Sequence, residues 1–211
     1  NFSFNKKNKI LKDVYLEIHK GQTIGIIGES GSGKSTIVDL LVGLHEPVSG
    51  DVFIDEVKGF QMTQSWRNKI GYVSQNIYLT DDSIKNNIAL GIPDNEINEL
   101  RIKELLAQVQ LDKFLNTLEK GINTRVGERG VQLSGGQRQR IGLARSLYHD
   151  PDVLILDEAT SALDTETEKE VMNSIDSLKG EKTIIIVAHR LSTLSNVDYI
   201  YKIINGKILK S

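Results

Sequence analysis

The sequence of 211 residues contains no cysteine, which excludes disulfide bonds and cysteine-ligated metal sites. It also lacks a long hydrophobic run. The longest, at 184–188, has the length of a buried strand, whereas a membrane-spanning helix needs about 20 apolar residues. The net charge of -2 provides no global positive field for nucleic acid, so no nucleic-acid partner is expected. The apolar fraction of 39% and the charged fraction of 26% are ordinary for a globular domain.

The hydrophobic pattern predicts an α/β fold. Short alternating or continuous apolar runs, which are typical of strands, lie at 14–18, 23–27, 52–54, 70–73, 153–156 and 184–187. The last two runs are continuous and rich in β-branched residues, which favours parallel strands covered on both faces. Asn205-Gly206 lies between two apolar pairs and indicates a tight hairpin, hence some antiparallel pairing.

Helical periodicity appears in three segments. Apolar residues recur at helical spacing over 37–44, directly after a glycine-rich loop. Two further apolar stripes over 97–121 predict a helical insertion. Thr165 and Glu168 fit a capping box that starts the third helical pattern. The chain therefore predicts a mostly parallel sheet, an antiparallel part and a helical subdomain.

The glycine-rich loop at 28–36 (GESGSGKST) matches the phosphate-binding pattern G-x-x-x-x-G-K-S/T in full. Its glycines let successive N–H groups point at phosphate oxygens, and the following helix adds the positive end of its dipole. The Lys34 ammonium can reach the outer phosphates, and the Ser35 hydroxyl can ligate Mg²⁺. The alternative is a flexible glycine loop. The pattern predicts a nucleotide site made by Gly28, Ser30, Gly31, Ser32, Gly33, Lys34, Ser35 and Thr36.

Four more motifs follow along the chain: LSGGQ at 133–137, VLILDE at 153–158, SALD at 161–164 and a histidine at 189. Their order and spacing resemble the ATP-binding cassette (ABC) family of transporter ATPases, and the resemblance covers essentially the whole chain. It implies a P-loop NTPase core in a single nucleotide-binding domain over 1–211. It also implies a helical subdomain at about 77–145, inserted before the LSGGQ motif. ATP, Mg²⁺ and an ATPase activity coupled to transport are the implied ligands and function.

Two acidic residues, Asp157 and Glu158, end one apolar strand pattern, where ligand groups sit in open α/β sheets. A carboxylate at 157 can position Mg²⁺. The resemblance implies that Glu158 orients or deprotonates the attacking water. It also implies that His189 contacts the terminal phosphate and that Gln75 touches Mg²⁺. We therefore expect Glu158, His189, Lys34 and Gln75 as catalytic residues, and Ser35, Gln75 and Asp157 as metal ligands.

The LSGGQ loop offers a second anion site, because small residues open a helix pattern there. The resemblance implies that this loop caps the ATP held by another copy, so a homodimer is expected. The alternative is a plain serine N-cap followed by a glycine turn. Phe4 takes the position of the family's aromatic that stacks on adenine, or else is a core or edge-strand phenylalanine. The expected nucleotide contacts here are Ser134, Gly135, Gly136, Gln137 and Phe4.

Residues 124–130 (TRVGERG) resemble the segment of exporter cassettes that contacts the membrane domain, although Arg125 replaces the usual acid. Because the chain starts at Asn1 within a strand pattern, we expect a fused transmembrane domain upstream. The expected location is the cytoplasmic face of the cell membrane. Residues 75–85 are similar to bacterial exporters of lipid-linked sugars, so a lipid-linked oligosaccharide or lipid is the expected cargo. Open alternatives are a peptide or drug exporter, a DNA-maintenance or translation ATPase and a non-hydrolysing nucleotide sensor.

Overall fold

The computed structural model describes residues 1–4, 9–58 and 63–210. The strands are β1 (Thr23–Gly28), β2 (Phe53–Ile54), β3 (Val57–Lys58), β4 (Ile70–Val73), β5 (Val153–Asp157), β6 (Thr183–Ala188), β7 (Tyr199–Ile204) and β8 (Lys207–Lys210). The α-helices are α1 (Lys34–Leu41), α2 (Thr63–Arg67), α3 (Ile84–Ile88), α4 (Glu99–Gln108), α5 (Asp112–Leu115), α6 (Gly135–Leu147) and α7 (Thr165–Asp176).

Two compact units share these elements. The first contains Asn1–Tyr72, Asp152–Glu158 and Lys179–Ser211, and the second contains Val73–Pro151 and Ala159–Leu178. The single nucleotide-binding domain over 1–211, with a helical subdomain at about 77–145, stays a prediction. No helix in the described ranges combines the length and hydrophobicity that a membrane span requires.

A six-stranded sheet organises the first unit, in the order β4-β5-β6-β1-β7-β8. Strands β5, β6, β1 and β7 pair in parallel, whereas β8 runs antiparallel to β7. Strand β6 is buried along its whole length, as its continuous apolar run predicts. Ile26, Ile155 and Val187 are buried in the core that helix α1 covers. Each such side chain contributes about 1.5–3 kcal/mol through burial. The sheet confirms the mostly parallel α/β prediction.

The tight hairpin predicted at Asn205-Gly206 joins β7 to β8. Both residues have a positive φ, of 50° and 79°, and the register pairs Ile204 with Lys207. A two-residue loop of this kind matches the twist of the flanking strands. The antiparallel edge of the sheet is therefore encoded locally.

The pattern at 14–18 forms no regular strand, contrary to prediction. Val14, Leu16 and Ile18 are half-buried and pack against the core, while Tyr15 is exposed. The alternation therefore indicates which side chains are buried. It does not indicate that this segment pairs with another strand. One anchor is the Tyr201 hydroxyl, which donates to the carbonyl of residue 17 at 2.8 Å.

Helices dominate the second unit. The predicted stripe of Ile102, Leu105, Leu106 and Val109 is buried on α4 and the residue that follows it. Half-buried Arg145, on α6, donates to the carbonyls of Asn87 at 2.7 Å and Tyr78 at 2.9 Å. These bonds tie α6 to the segment before α3 and to α3 itself.

The start of α7 differs from the prediction of a capping box between Thr165 and Glu168. Asp164 is the N-cap, and its Oδ1 accepts from the backbone N–H groups of Glu166 and Thr167 at 3.2 and 3.0 Å. The bonds from the N–H and the hydroxyl of Thr167, together with the weaker effect of the Glu166 N–H, lower the pKa of Asp164. Glu168 is buried and accepts from the Thr160 hydroxyl at 2.9 Å. The helix therefore begins one residue before the start that the capping box predicts, and an aspartate caps it.

Candidate functional site

The loop between β1 and α1 forms a cradle of backbone groups. A Cβ at Gly28 would lie 2.5 Å from the Ser32 hydroxyl and 2.9 Å from the carbonyl of Ile203, so the loop packs tightly against β7. Gly31 and Gly33 have φ values of 76° and 107°, which favour glycine. No side chain caps α1. Its first amide groups therefore remain available to an anion.

Lys34 is buried within this cradle, with 5% of its surface exposed. Its Nζ donates to the carbonyls of Gly28 at 3.0 Å and Glu29 at 3.2 Å. The Ser32 hydroxyl is also buried, and it has no hydrogen-bond partner among the described residues. A buried hydroxyl without a partner is costly. The loop thus holds one cation and one unsatisfied donor, which fits a phosphate ligand.

An open cavity of about 340 Å³ lies over the loop. The predicted residues Ser30, Gly31, Gly33, Lys34, Ser35 and Thr36 line it together with Ile10, Glu158 and His189. Gly28 and Ser32 form the back of the loop. The first unit therefore brings the predicted phosphate loop next to two residues from the ends of β5 and β6.

Glu158 and His189 meet at the mouth of this cavity. Glu158 has a φ of 53°, and its backbone N–H donates to the carbonyl of Val187 at 3.0 Å. Its Oε1 lies 2.7 Å from Nε2 of His189 and 3.8 Å from Nζ of Lys34. The Glu158 side chain is 18% exposed. A carboxylate held at a strand end, partly open to solvent and beside two basic groups, is suited to general-base chemistry.

Asp157 precedes this pair at the end of β5. The Tyr72 hydroxyl donates to its Oδ2 at 2.9 Å. Burial raises the pKa of Asp157 above its usual value, and the bond from Tyr72 opposes that rise. The sequence analysis missed Tyr72. Its signal was a polar aromatic residue in the otherwise apolar run at 70–73.

The protein groups available to Mg²⁺ are few. Ser35 is exposed at the start of α1, and Asp157 is half-buried. No cluster of three or more histidine and acidic residues that could hold a metal occurs within 1–4, 9–58 and 63–210. Mg²⁺ keeps several waters and is usually held by one or two protein oxygens plus substrate phosphates. The donor set therefore fits a metal that arrives with a nucleotide.

Gln75 and the LSGGQ residues belong to the second unit. Gln75 Nε2 donates to the Ser161 hydroxyl at 3.1 Å. Ser134 caps α6 in a capping box: its hydroxyl accepts from the N–H of Gln137 at 3.2 Å, and the Gln137 side chain accepts from the N–H of Ser134 at 2.9 Å. The expected helix start is confirmed. Contacts of these residues with nucleotide stay predictions.

Phe4 is 64% exposed and belongs to a group of three rings with Phe2 and His45. Its ring makes edge-to-face contacts with buried Phe2 at 5.0 Å and with His45 at 5.3 Å between centroids. Phe2 bridges Leu11 in antiparallel fashion, so this part of the chain is anchored. An exposed ring suits stacking on a base, although adenine binding by Phe4 stays a prediction.

Position 136 on α6 must be glycine because α7 lies too close to leave room for a side chain. A Cβ at position 136 would lie 2.2 Å from Cγ2 of Thr167. We expect Gly136→Ala to lower the free energy of unfolding by about 1–3 kcal/mol, although alanine favours helix. Urea unfolding measures this.

Two variants isolate the clash at Gly136. Thr167→Ser removes Cγ2 and keeps the hydroxyl that bonds Asp164, so adding it to Gly136→Ala should restore most of the stability. Gly135→Ala is the matched control, since its Cβ would meet nothing closer than 3.5 Å. Equal losses for the alanine variants at 135 and 136 would contradict the steric explanation.

Comparisons with known proteins identify the family of this chain. The profile of the family described as ABC transporter matches residues 11–161. The chain belongs to the ABC transporter family. This family membership makes it an ATP-binding domain and an ATPase. The fold agrees as well, because a solved bacterial Atm1-family ABC exporter with ATP bound superposes with a TM-score of 0.89 at 35% identity.

Relatives of this ABC transporter domain include larger proteins. The ATP-dependent lipid A-core flippase of Pectobacterium atrosepticum is 41% identical over 213 residues, which cover 100% of this chain and 36% of the flippase. ABC transporter B family member 21 of Arabidopsis thaliana is 45% identical over 213 residues, covering 100% of this chain and 16% of that protein. The solved exporter is covered to 37%, against 100% of this chain. The domain thus spans well under half of each relative.

Proposed function

We propose that this ABC domain is the ATP-hydrolysing motor of an exporter. The observation that carries the proposal is the meeting of Lys34, Glu158 and His189 at the mouth of the phosphate loop. Those three groups come from α1 and from the ends of β5 and β6, where ligands bind in open α/β sheets. A cation, a carboxylate and an imidazole there match the needs of phosphoryl transfer to water.

Nucleotide binding exchanges the partners of Lys34. Its ammonium donates to two neutral carbonyls of the loop and lies 3.8 Å from the Glu158 carboxylate, and phosphate oxygens would give it charged hydrogen-bond acceptors. The Ser32 hydroxyl would gain the partner it lacks. The phosphates would also accept from the first amide groups of α1, and Phe4 would cover the adenine. Binding thus uses groups that are already in place.

Hydrolysis depends on Glu158. Its carboxylate would orient and deprotonate the attacking water, with His189 holding the carboxylate and reaching the terminal phosphate. Ser35 and Asp157 would hold Mg²⁺, and the expected part of Gln75 as a further ligand stays a prediction. The metal's chemistry is to neutralise charge on the phosphate oxygens. Lys34 would stabilise the charge that builds up on the transferred group.

The LSGGQ loop would complete the site of a second copy. Ser134 and Gly135 are exposed, and the capping box uses the N–H of Gln137. The first amide groups of α6 therefore remain without intrahelical partners. Such a helix start suits a phosphate. Two copies arranged head to tail would bury two ATP molecules between them. Hydrolysis of the ATP would let the two copies separate.

A membrane domain is the proposed partner of the second unit. Arg125, which replaces the usual acid, donates to the carbonyl of Asp81 at 2.6 Å and pairs with its carboxylate at 3.4 Å. Ser83 bridges Arg125, so the 124–130 segment is joined to the stretch that follows Gln75. Both stretches would pass the motion of the motor to the membrane domain. The domain would therefore lie on the cytoplasmic face of the cell membrane.

A lipid-linked oligosaccharide or a lipid is the proposed cargo. Support comes from the stretch at 75–85 and from the lipid A-core flippase relative. In the full-length protein reconstituted in liposomes, we expect ATP-dependent flipping of a fluorescent lipid-linked oligosaccharide. Export of peptides or drugs without any flipping of the lipid would contradict the proposed lipid cargo. ATP hydrolysis stimulated by DNA or RNA would contradict the exporter function.

A further inference from the structure

The hydroxyl of Tyr72 lies against the carboxylate proposed to hold Mg²⁺. Tyr72 is on β4, a short strand at one end of the sheet order, and Asp157 ends the neighbouring strand β5. The Tyr72 hydroxyl donates to Oδ2 of Asp157 at 2.9 Å. Tyr72 is 46% exposed, so the contact is reached by solvent on one side. No step of the proposed hydrolysis uses this tyrosine.

A carboxylate has two oxygens, and one bond from a phenol restrains how it rotates. With Oδ2 held by Tyr72, Oδ1 remains free for a metal or a metal-bound water. We propose that Tyr72 is a positioning residue that orients the Asp157 carboxylate toward Mg²⁺ of bound MgATP. This inference rests on the proposed function, and it assigns to β4 a part in metal binding.

The surroundings of Asp157 explain why an orienting donor matters. Glu158 and Asp39 are both close enough to repel its negative charge, whereas Lys34 attracts it. A hydroxyl that donates to Oδ2 holds the carboxylate in one orientation among these charges, so that its other oxygen keeps a fixed direction. Mutation of a residue that hydrogen-bonds a metal ligand typically lowers metal affinity by about 10- to 100-fold.

Tyr72→Phe tests the inference because it removes only the hydroxyl. We expect the Mg²⁺ concentration at half-maximal binding of a fluorescent ATP analogue to rise by about 10-fold. Binding of the analogue in EDTA should be unchanged, since Lys34 and the loop amides do not need the metal. Binding of Mn²⁺ with ATP, followed by electron paramagnetic resonance, should weaken by a similar factor.

Tyr15→Phe is the matched control. It also removes a tyrosine hydroxyl bonded to a carboxylate, that of Glu17 at 3.1 Å, on the exposed part of the first unit. A Mg²⁺ dependence of Tyr72→Phe equal to that of Tyr15→Phe would overturn the inference. So would weaker nucleotide binding in EDTA, because that result would mark a general structural role. If the unaltered chain bound no nucleotide in either condition, the proposed function itself would fail.

Discussion

Glu158→Gln is expected to slow ATP hydrolysis by about 100-fold or more, because a general base typically contributes 10²- to 10⁴-fold. The amide keeps the shape of the side chain and can still accept from His189, whose Nε2 lies 2.7 Å from the Glu158 carboxylate. It cannot take a proton from water. ATP binding should persist, since the phosphate loop is untouched. Phosphate release measures the turnover.

A sizing column gives the second readout for Glu158→Gln. If ATP joins two copies and hydrolysis separates them, the variant should accumulate as an ATP-dependent dimer. Glu166→Gln is the control, because Glu166 is exposed in the first turn of α7 and lies outside the cavity. Turnover of Glu158→Gln near that of the control would remove Glu158 from its proposed role.

The second large effect is expected when two single variants, Lys34→Ala and Ser134→Asp, are mixed. Lys34→Ala removes the buried ammonium from the loop, and hydrogen bonds to charged groups are worth about 1.5–3 kcal/mol each. We expect nucleotide affinity to fall by about 10-fold or more. Ser134→Asp keeps a good N-cap for α6 but places a negative charge at the helix start. Each variant alone should hydrolyse ATP poorly.

Mixing these two variants distinguishes an ATP site shared by two copies from a site formed within one copy. A mixed pair contains one intact site, with Lys34 from one copy and Ser134 from the other. In an equal mixture half of the pairs are mixed and each has one working site, so activity should recover to about a quarter of the unaltered level. Ser134→Asn, which caps without charge, should remain active. A mixture no more active than its components would refute the shared site.

Local patterns in the sequence predicted much of this domain correctly. The phosphate loop at 28–36 follows β1 and begins α1, the apolar runs at 153–156 and 184–187 are buried strands, and Asn205-Gly206 turns a hairpin. In each case the signal and the structure it predicts lie within a few residues. The pattern at 14–18 misled, because alternation reports burial and says nothing of a neighbouring strand.

Contacts between distant residues were beyond such patterns. Gly136 must be glycine because Thr167 of α7 lies against α6. The closeness of these two helices cannot be derived from spacing, because it follows from how the helices of the second unit pack. The cap of α7 is a local error of a different kind: Asp164, directly before the predicted Thr165, accepts from the N–H groups of Glu166 and Thr167.

The sequence by itself determined which chemical groups this domain carries, because a loop, a strand end and a helix start are local structures. Only the tertiary structure decided which groups meet. The sheet order places β4 beside β5 and β5 beside β6, although long stretches of chain separate them. Tyr72 thereby reaches Asp157, and Glu158 reaches His189. Strand order is set by contacts between segments far apart in the chain, which no local pattern records.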